Sequence, residues 1–404
     1  MKQTQFGGNL IQEIRNGSKG AMMKKRIITN LMYSQSTTIT DLAKTMDLSI
    51  PTITKLVDDL CDLGFVQECG KLETTGGRHP ILYSLNASSG CFIGVELGRH
   101  YINIGAMDFK GEIIKLKMGL EFNLVNTMSC YEQLCRYING FISDMNIQRE
   151  KIIGINIAIC GRVNPDTGYS HSFLNFDNRP LGDMLTETLG IDVSIENDSR
   201  AMLYAEYIKG DLRKARSIIF VNISWGLGIA IMIDGKLYRG KSGFSGELGH
   251  NYGYDNQILC YCGKKGCIET ENSCAALHRM FIASLRAGET SVALEDKTIE
   301  EITLDDIFEA VRREDLLAID LVENIGKGLG VHVGGLINLF NPDMVIIGGE
   351  MAQAGDFLLQ PLITSMRKHT LTLLCRDTDI TLSRLRSRAG VTGACLLARS
   401  RIFE

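Results

Sequence analysis

The sequence predicts an α/β protein in which an N-terminal winged helix-turn-helix precedes two α/β lobes, the second of them carrying a zinc knuckle. Three observations predict it. Short amphipathic patterns fill residues 23–60, strand and helix patterns alternate beyond Asn86, and His250 precedes Cys260, Cys262 and Cys267 in a glycine-rich window. The boundaries implied are 1–85 for the N-terminal domain, 86–205 for the first lobe and 206–404 for the second, whose last helix can return to the first lobe.

Within the first 85 residues, Thr38-Ile39-Thr40-Asp41 resembles a capping box with Asp in place of Glu, and Ile39, Leu42, Ala43 and Met46 follow at helical spacing. After a tight turn, Ser49 is placed to cap a second helix with Pro51 in its first turn, and Ile50, Ile53, Val57 and Leu60 mark its inner face. With the segment Met23–Met32 this makes three helices. The outward residues Ser49, Thr52, Thr54 and Lys55 are short or cationic, suited to base edges and phosphates. Residues 65–68 and 80–85 read as strands of a wing, and its Gly76-Gly77-Arg78 tip can lay a guanidinium in a minor groove. A three-helix bundle that docks protein has the same periodicity, and the wing is what favours DNA.

One imidazole and three thiolates fill the four positions of tetrahedral zinc, so His250, Cys260, Cys262 and Cys267 predict a structural ion with no open site for water. Buried thiols packed as small hydrophobes are the alternative; the interposed Gly263 and Gly266 suit a knuckle better than a core. Elsewhere the composition is that of a cytoplasmic protein. The 404 residues are 45% hydrophobic and 22% charged, enough to bury sizeable cores. No charged-then-apolar leader or bilayer-length apolar run is present, and twelve cysteines then imply free thiols in a reducing compartment. The net charge of −4 is uneven: ten Lys and Arg against eight Asp and Glu in residues 1–85 give +2 there, leaving −6 for the remainder.

The larger region reads as strands at 92–95, 102–107, 113–116 and 152–159 with a helix at 131–145. A second set follows at 217–221, 228–233 and 344–349. Ligands of α/β sheets gather at the carboxyl ends of strands, where Gly161-Arg162 and Asn197-Asp198 stand. Asn197 and Asp198 can be a helix cap; an amide beside a carboxylate can equally satisfy neighbouring sugar hydroxyls.

These residues resemble the ROK family of sugar kinases and sugar-responsive repressors. The marks are Glu247-Leu248-Gly249-His250, the three-cysteine knuckle ending in Glu269, Glu196-Asn197-Asp198, and Asn341-Pro342 leading into Ile346-Ile347-Gly348-Gly349. The winged helix with Gly76-Gly77-Arg78 looks like the repressor branch. The resemblance implies an actin-like (ribonuclease H-like) two-lobed fold with sugar between the lobes, contacted by Asn197, Asp198, Glu247, His250 and Glu269 with Gly161 and Arg162 nearby. In the family's kinases the residue at the place of Asp198 is the general base. Their Asp-x-Gly-Gly-Thr phosphate turn is here Glu96-Leu97-Gly98-Arg99-His100, and their second phosphate loop is here Ser224-Trp225-Gly226-Leu227-Gly228, so nucleotide approach is expected to be obstructed.

The reading favoured is a sugar-responsive transcriptional repressor, not an enzyme, that binds a DNA operator as a homodimer or a tetramer, away from membranes. An active sugar kinase with a regulatory DNA-binding domain is the alternative, and a sugar-binding scaffold whose helices dock protein is a third.

Overall fold

The computed structural model describes residues 4–73 and 79–404, with side chains from Leu10 onward. Contacts divide the chain into two units: Met1–Ile159, Thr167–Glu196 and Ala394–Glu404 form one, Cys160–Asp166 and Asn197–Gly393 the other. Among the described residues no helix is long and apolar enough to cross a membrane.

The first unit begins with α1 (Thr4–Arg15), α2 (Lys19–Ser34), the short strand β1 (Ser36–Thr38), α3 (Ile39–Met46) and α4 (Ile50–Asp62). The antiparallel strands β2 (Val66–Lys71) and β3 (Ile81–Leu85) follow, with β3 between β1 and β2. Local chemistry sets these ends. Ser18 caps α2 through the Ala21 amide, four residues earlier than the hydrophobic pattern alone marks its start. Thr38 caps α3, and Asp41, one methylene shorter than the Glu of a capping box, bonds the Thr38 hydroxyl at 2.7 Å. Leu31, Leu42, Ile53, Val57 and Leu60 are fully buried, whereas Ile50, expected on the inner face, is 53% exposed because it opens the first turn of α4.

That small core continues into Phe92 and Phe109 and into the end of the last helix, where Phe403 meets Phe109 edge-on at 5.4 Å and accepts a hydrogen bond from Thr29 at its carbonyl. Strands β4 (Cys91–Leu97), β5 (Tyr101–Asp108) and β6 (Ile113–Glu121) form a meander. Helix α5 (Met128–Ser143) leads to β7 (Ile152–Ile159), whose bounds are those expected. Two-residue strands β8 (Val163–Asn164) and β9 (Tyr169–Ser170), helix α6 (Leu181–Leu189) and strand β10 (Val193–Asn197) complete this stretch. The sheet order is β10-β7-β4-β5-β6, with β4 and β7 parallel.

The second unit repeats that plan. After α7 (Asp198–Lys209), a meander of β11 (Ser217–Ile223), β12 (Leu227–Ile233) and β13 (Lys236–Tyr238) leads to α8 (Cys274–Arg286), α9 (Leu304–Arg312) and the 25-residue α10 (Leu316–Phe340). Then come β14 (Met344–Gly348), α11 (Asp356–His369), α12 (Thr372–Asp377), β15 (Asp379–Leu382) and α13 (Ala389–Phe403), whose residues from Ala394 on belong to the first unit. The order β13-β12-β11-β14-β15, with β11, β14 and β15 parallel, matches the first sheet strand for strand. Val221, Val345 and Ile347 of its central strands are fully buried against Phe281, Leu329 and Leu358 of the helices.

Helix α13 starts hard against α7: a Cβ on Gly393 would lie 1.8 Å from the Ala201 carbonyl oxygen. Gly393→Ala is therefore expected to lower the unfolding free energy by at least about 2 kcal/mol, in the upper part of the overpacking range. Gly335→Ala, on α10 with open space around it, should raise it by about 0.5–1 kcal/mol. Urea denaturation checks both, and equal midpoints for Gly393→Ala and wild type would mean that α7 and α13 do not hold this separation.

Candidate ligand and metal site

The segment Gly246-Glu247-Leu248-Gly249-His250 is laid directly along β12. Ile229 donates its amide to the Gly246 carbonyl at 2.9 Å, and Leu248 is buried beneath. A Cβ on Gly246 would stand 2.0 Å from the Ile229 carbonyl oxygen, and one on Gly249 would stand 2.2 Å from that of Leu227. Gly246 also has φ +99, a region that other residues rarely adopt. Glu247 and His250 are thus held in fixed directions from the sheet.

The knuckle folds back on this segment, Ile268 donating to the Asn251 carbonyl and Gly253 to that of Gly266 at 3.0 and 2.8 Å. It brings the His250, Cys260, Cys262 and Cys267 ligand atoms within 4.8 Å of one another. Cys262 Sγ lies 3.6 Å from Cys267 Sγ, and Cys260 Sγ 3.5 Å from His250 Nδ1. A tetrahedron with metal–sulfur bonds of about 2.3 Å has edges of about 3.8 Å, so the four donors fit a tetrahedral ion with little adjustment. Burial pushes the Cys262 thiol up, but the Lys264 amide and hydrogen bonds from Cys260 and Cys267 hold it below its ordinary value. His250 Nε2 points away from this cluster, 3.7 Å from Glu247 Oε2.

Asn197 caps α7 through the Arg200 amide at 3.2 Å, and its Nδ2 donates to the Gly161 carbonyl at 3.1 Å and to Asp198 Oδ1 at 2.9 Å. Gly161 has φ +89, which turns that carbonyl toward Asn197. Asp198 is half-buried at the start of α7 and accepts from the Ser199 amide at 2.8 Å and from Asn222 Nδ2 at 3.2 Å. Burial raises its pKa, while Ser199, Arg200 and Asn222 oppose the rise. Burial also raises Glu247, against the charges of His250 and Arg162 and with Asp198 adding to it. The second unit therefore gathers Gly161, Arg162, Asn197, Asp198, Glu247 and His250 into one electrostatic neighbourhood. Glu269 sits at its edge: its Oε2 accepts the Leu227 amide at 2.9 Å, and its Oε1 is 3.4 Å from Cys260 Sγ.

Residues 92–401 match the ROK family. The chain belongs to the ROK family. A xylose repressor of Caldicellulosiruptor bescii is 29% identical over 391 residues, 94% of each chain. The DNA-binding transcriptional dual regulator NagC of Escherichia coli is 27% identical over 371 residues, 89% of this chain and 88% of its own. A crystal structure of a ROK family transcriptional regulator, a homologue of the E. coli MLC protein, matches with a TM-score of 0.77 at 27% identity, over 95% of this chain and 97% of its own. A ROK family glucokinase from Streptomyces griseus, solved with glucose and AMPPNP, matches with a TM-score of 0.69 at 27% identity, over 77% of this chain and 100% of its own. The mixed α/β architecture is the actin-like fold of ROK proteins.

At the turn that follows β4, the Glu96 carboxylate is buried and hydrogen-bonded through both oxygens. Tyr101 OH donates to Oε1 at 3.2 Å and Asn103 Nδ2 to Oε2 at 2.9 Å. The Tyr101 ring lies where a Cβ on Gly98 would be, at 2.4 Å. Arg99 donates to the Leu124 carbonyl and covers the Phe173 ring at 4.9 Å. In the second unit Trp225 is half-buried beside the His278 ring, 6.1 Å between centroids, on the loop that delivers the Leu227 amide to Glu269.

On α4, Ser49, Thr52 and Lys55 are exposed and Thr54 is half-buried. Ser49 and Thr52 share a 2.8 Å hydrogen bond at the cap, and the Thr54 hydroxyl returns to the Ile50 carbonyl. Arg78, with Gly76 and Gly77, lies outside the described residues. Residue patterns alone miss Arg200, a guanidinium only 2% exposed that donates to the Val163 carbonyl, and nothing in its local sequence marks it. They also miss Asn222, although a polar residue inside the apolar run Ile219–Ile223 is a usable signal.

Wild-type protein is expected to retain one tetrahedral metal ion per chain by elemental analysis. Cys262→Ser should retain less than half of it after dialysis against a weak chelator and should melt at a lower temperature. Undiminished metal in the variant would exclude these four residues as the ligand set.

Proposed function

We propose that this ROK protein is a sugar-responsive DNA-binding transcriptional repressor of carbohydrate-utilisation genes, working in the cytoplasm as a homodimer or a tetramer built from dimers. One observation carries the reading: the likeness to named repressors and to a ROK regulator extends over nearly the whole chain, whereas the glucokinase covers 77% of it and the ROK match begins at residue 92. The helices α2, α3 and α4 with β1, β2 and β3 then act as a winged helix-turn-helix. Helix α4 enters the major groove with Ser49, Thr52, Thr54 and Lys55, and the exposed Ile50 adds a surface for a thymine methyl. The wing brings Arg78 to the minor groove.

Zinc is the ion that three thiolates and an imidazole select. It holds the knuckle and His250 in place without offering an open coordination position. Asp198, Glu247 and Glu269 accept sugar hydroxyls, His250 presents Nε2, and Gly161, Arg162 and Asn197 complete the shell. A ligand that binds one conformation of this site better than another shifts the population between DNA-binding and released states. Coupling of about 1–3 kcal/mol suffices for a several-fold change in occupancy.

A second reading, an ATP-dependent hexose or N-acylhexosamine kinase, is favoured by Asp198, a carboxylate whose raised pKa suits a general base. The engagement of both Glu96 oxygens by Tyr101 and Asn103 opposes it.

The test is a titration of metal-loaded protein with free and phosphorylated sugars, followed by Trp225 emission, with ATP consumption and upstream-DNA binding measured on each sugar that binds. Binding that changes DNA affinity without turnover is the expected result; turnover at kinase-like rates would make the enzyme reading the correct one. Asp198→Asn should keep operator affinity and lose the sugar response, and loss of both would assign Asp198 to folding. Lys55→Ala and Arg78→Ala should each weaken operator binding and reduce the slope of log K against log salt by about one. An unchanged slope would remove that residue from the interface.

A further inference from the structure

At the C-terminal edge of the second sheet, β11 and β14 run parallel with Asn222 opposite Gly348, and each ends in a glycine-containing turn. Edges of this kind, with a helix N-terminus close by, accept phosphates and other anions because loop and first-turn N–H groups point outward there. Here those N–H groups are turned to internal use. Cys274 and Ala275, opening α8, donate to the Ser224 and Trp225 carbonyls at 2.9 and 3.3 Å, and Ala276 donates to the Ser273 hydroxyl at 3.1 Å. On the loop, the Ser224 amide goes to the Gly226 carbonyl at 3.0 Å and the Leu227 amide to Glu269. The Trp225 amide is taken by the carboxylate of Glu350, the residue that follows the β14 turn.

Glu350 reaches that amide because Gly349, at φ +82, brings the two strand ends together: a Cβ there would lie 2.6 Å from Ile223 N and from Asn222 Oδ1. The carboxyl is half-buried. Burial pushes it up to about 7, the Trp225 amide opposing the rise and Asp305 adding to it.

We propose that Glu350 is a built-in acceptor at this sheet edge, which fastens the Trp225 loop from within and, when ionised, bars the phosphate groups of nucleotides and polyphosphates from it. A phosphate brought to the same amide has to displace the carboxylate and remain beside its charge. The consequence reaches the sugar side. The fastened loop carries the Leu227 amide that positions Glu269, so this part of the ligand site is assembled without any nucleotide. The inference deepens the sensor reading and rests on it, since a sensor needs its sugar shell in place when nucleotide is absent.

The experiment compares full-length, metal-loaded wild type with Glu350→Gln and Glu350→Ala at about pH 8.5, where the wild-type carboxyl is ionised. Inorganic tripolyphosphate and ADP are titrated separately, with binding read by calorimetry and by Trp225 emission. Wild type should show no saturable binding at millimolar concentrations, and both variants should bind tripolyphosphate at least about tenfold more tightly. Glu350→Gln keeps an acceptor for the Trp225 amide and loses only the charge, so it carries the test if the alanine variant does not fold. Equal binding by wild type and Glu350→Gln, or no binding by either, overturns the proposal. Sugar titrations on the same samples separate the two ideas: a wild type that binds no sugar, or that turns over ATP with sugar, sinks the sensor reading, whereas sugar binding without turnover and with unchanged tripolyphosphate behaviour sinks only the role of Glu350.

Discussion

The candidate site depends on how closely one backbone segment approaches one strand. Gly246 and Gly249 lie so near the carbonyls of β12 that any side chain there would overlap them. The strand therefore fixes the turn between them, and the turn fixes Glu247 and His250. The knuckle adds a second layer on the same foundation, because the Asn251 carbonyl and His250 itself belong to the segment that it folds against. Helix α10 closes it from another side: Gly328 leaves room for Asn272 and the Tyr254 hydroxyl, which would otherwise stand 2.5 and 2.7 Å from its Cβ. A metal ion at the four ligands would stabilise an arrangement that backbone packing has already set up.

Placing two carboxylates in such a rigid, partly buried setting costs stability, and the surroundings show how the cost is limited. Asp198 is surrounded by donors from Ser199, Asn197 and Asn222, and the buried Arg200 lies close enough to offset its charge. Even so, burial prevails and its pKa is raised. A group whose folded pKa is raised contributes most to stability below its unfolded pKa and loses that contribution as pH rises through the folded value. Ionising Asp198 in the folded protein therefore costs more than ionising it in the unfolded chain. Hydroxyl donors brought to the carboxylate would lower that cost.

The sequence makes visible those features whose cause is local. The strand Ile152–Ile159 is an apolar run broken only by Asn156, and four ligands of two types in one short window mark the knuckle. Caps are legible too: Thr38, Ser49 and Asn197 all cap the helices they precede. Features caused by tertiary contacts are not legible. Periodicity puts Ile50 with Ile53 and Val57, yet the first turn of α4 faces outward and Ile50 with it. Helix α1 and strand β1 escape the pattern because Leu10, Ile11 and Ile14 give only a short apolar stripe and β1 has three residues. Arg200 reads as an ordinary helical residue, since its burial follows from its packing near Val163, thirty-seven positions away. The same holds for Glu96. Its poor match to a phosphate turn is visible, but not the Tyr101 and Asn103 side chains that satisfy it.

The two sheets share one strand order, and each has dealt with its exposed polar groups at the carboxyl edge by internal means. In the first, an acid at the end of β4 accepts hydrogen bonds from side chains of β5. In the second, an amide after β11 is satisfied by an acid after β14. Unpaired groups at such edges are what make α/β folds good receptors for charged ligands, and every internal partner removes one reason to bind them. At the candidate site the pairing is looser in one place: Glu247 and His250 stand 3.7 Å apart, beyond a good hydrogen bond. A scaffold that satisfies its anion-binding edge internally while leaving hydroxyl-binding groups accessible can recognise a sugar and has little means of attracting the phosphate donor. On the proposed reading, that difference in internal pairing, more than the fold itself, is what would separate a sensor from a kinase built on the same two sheets.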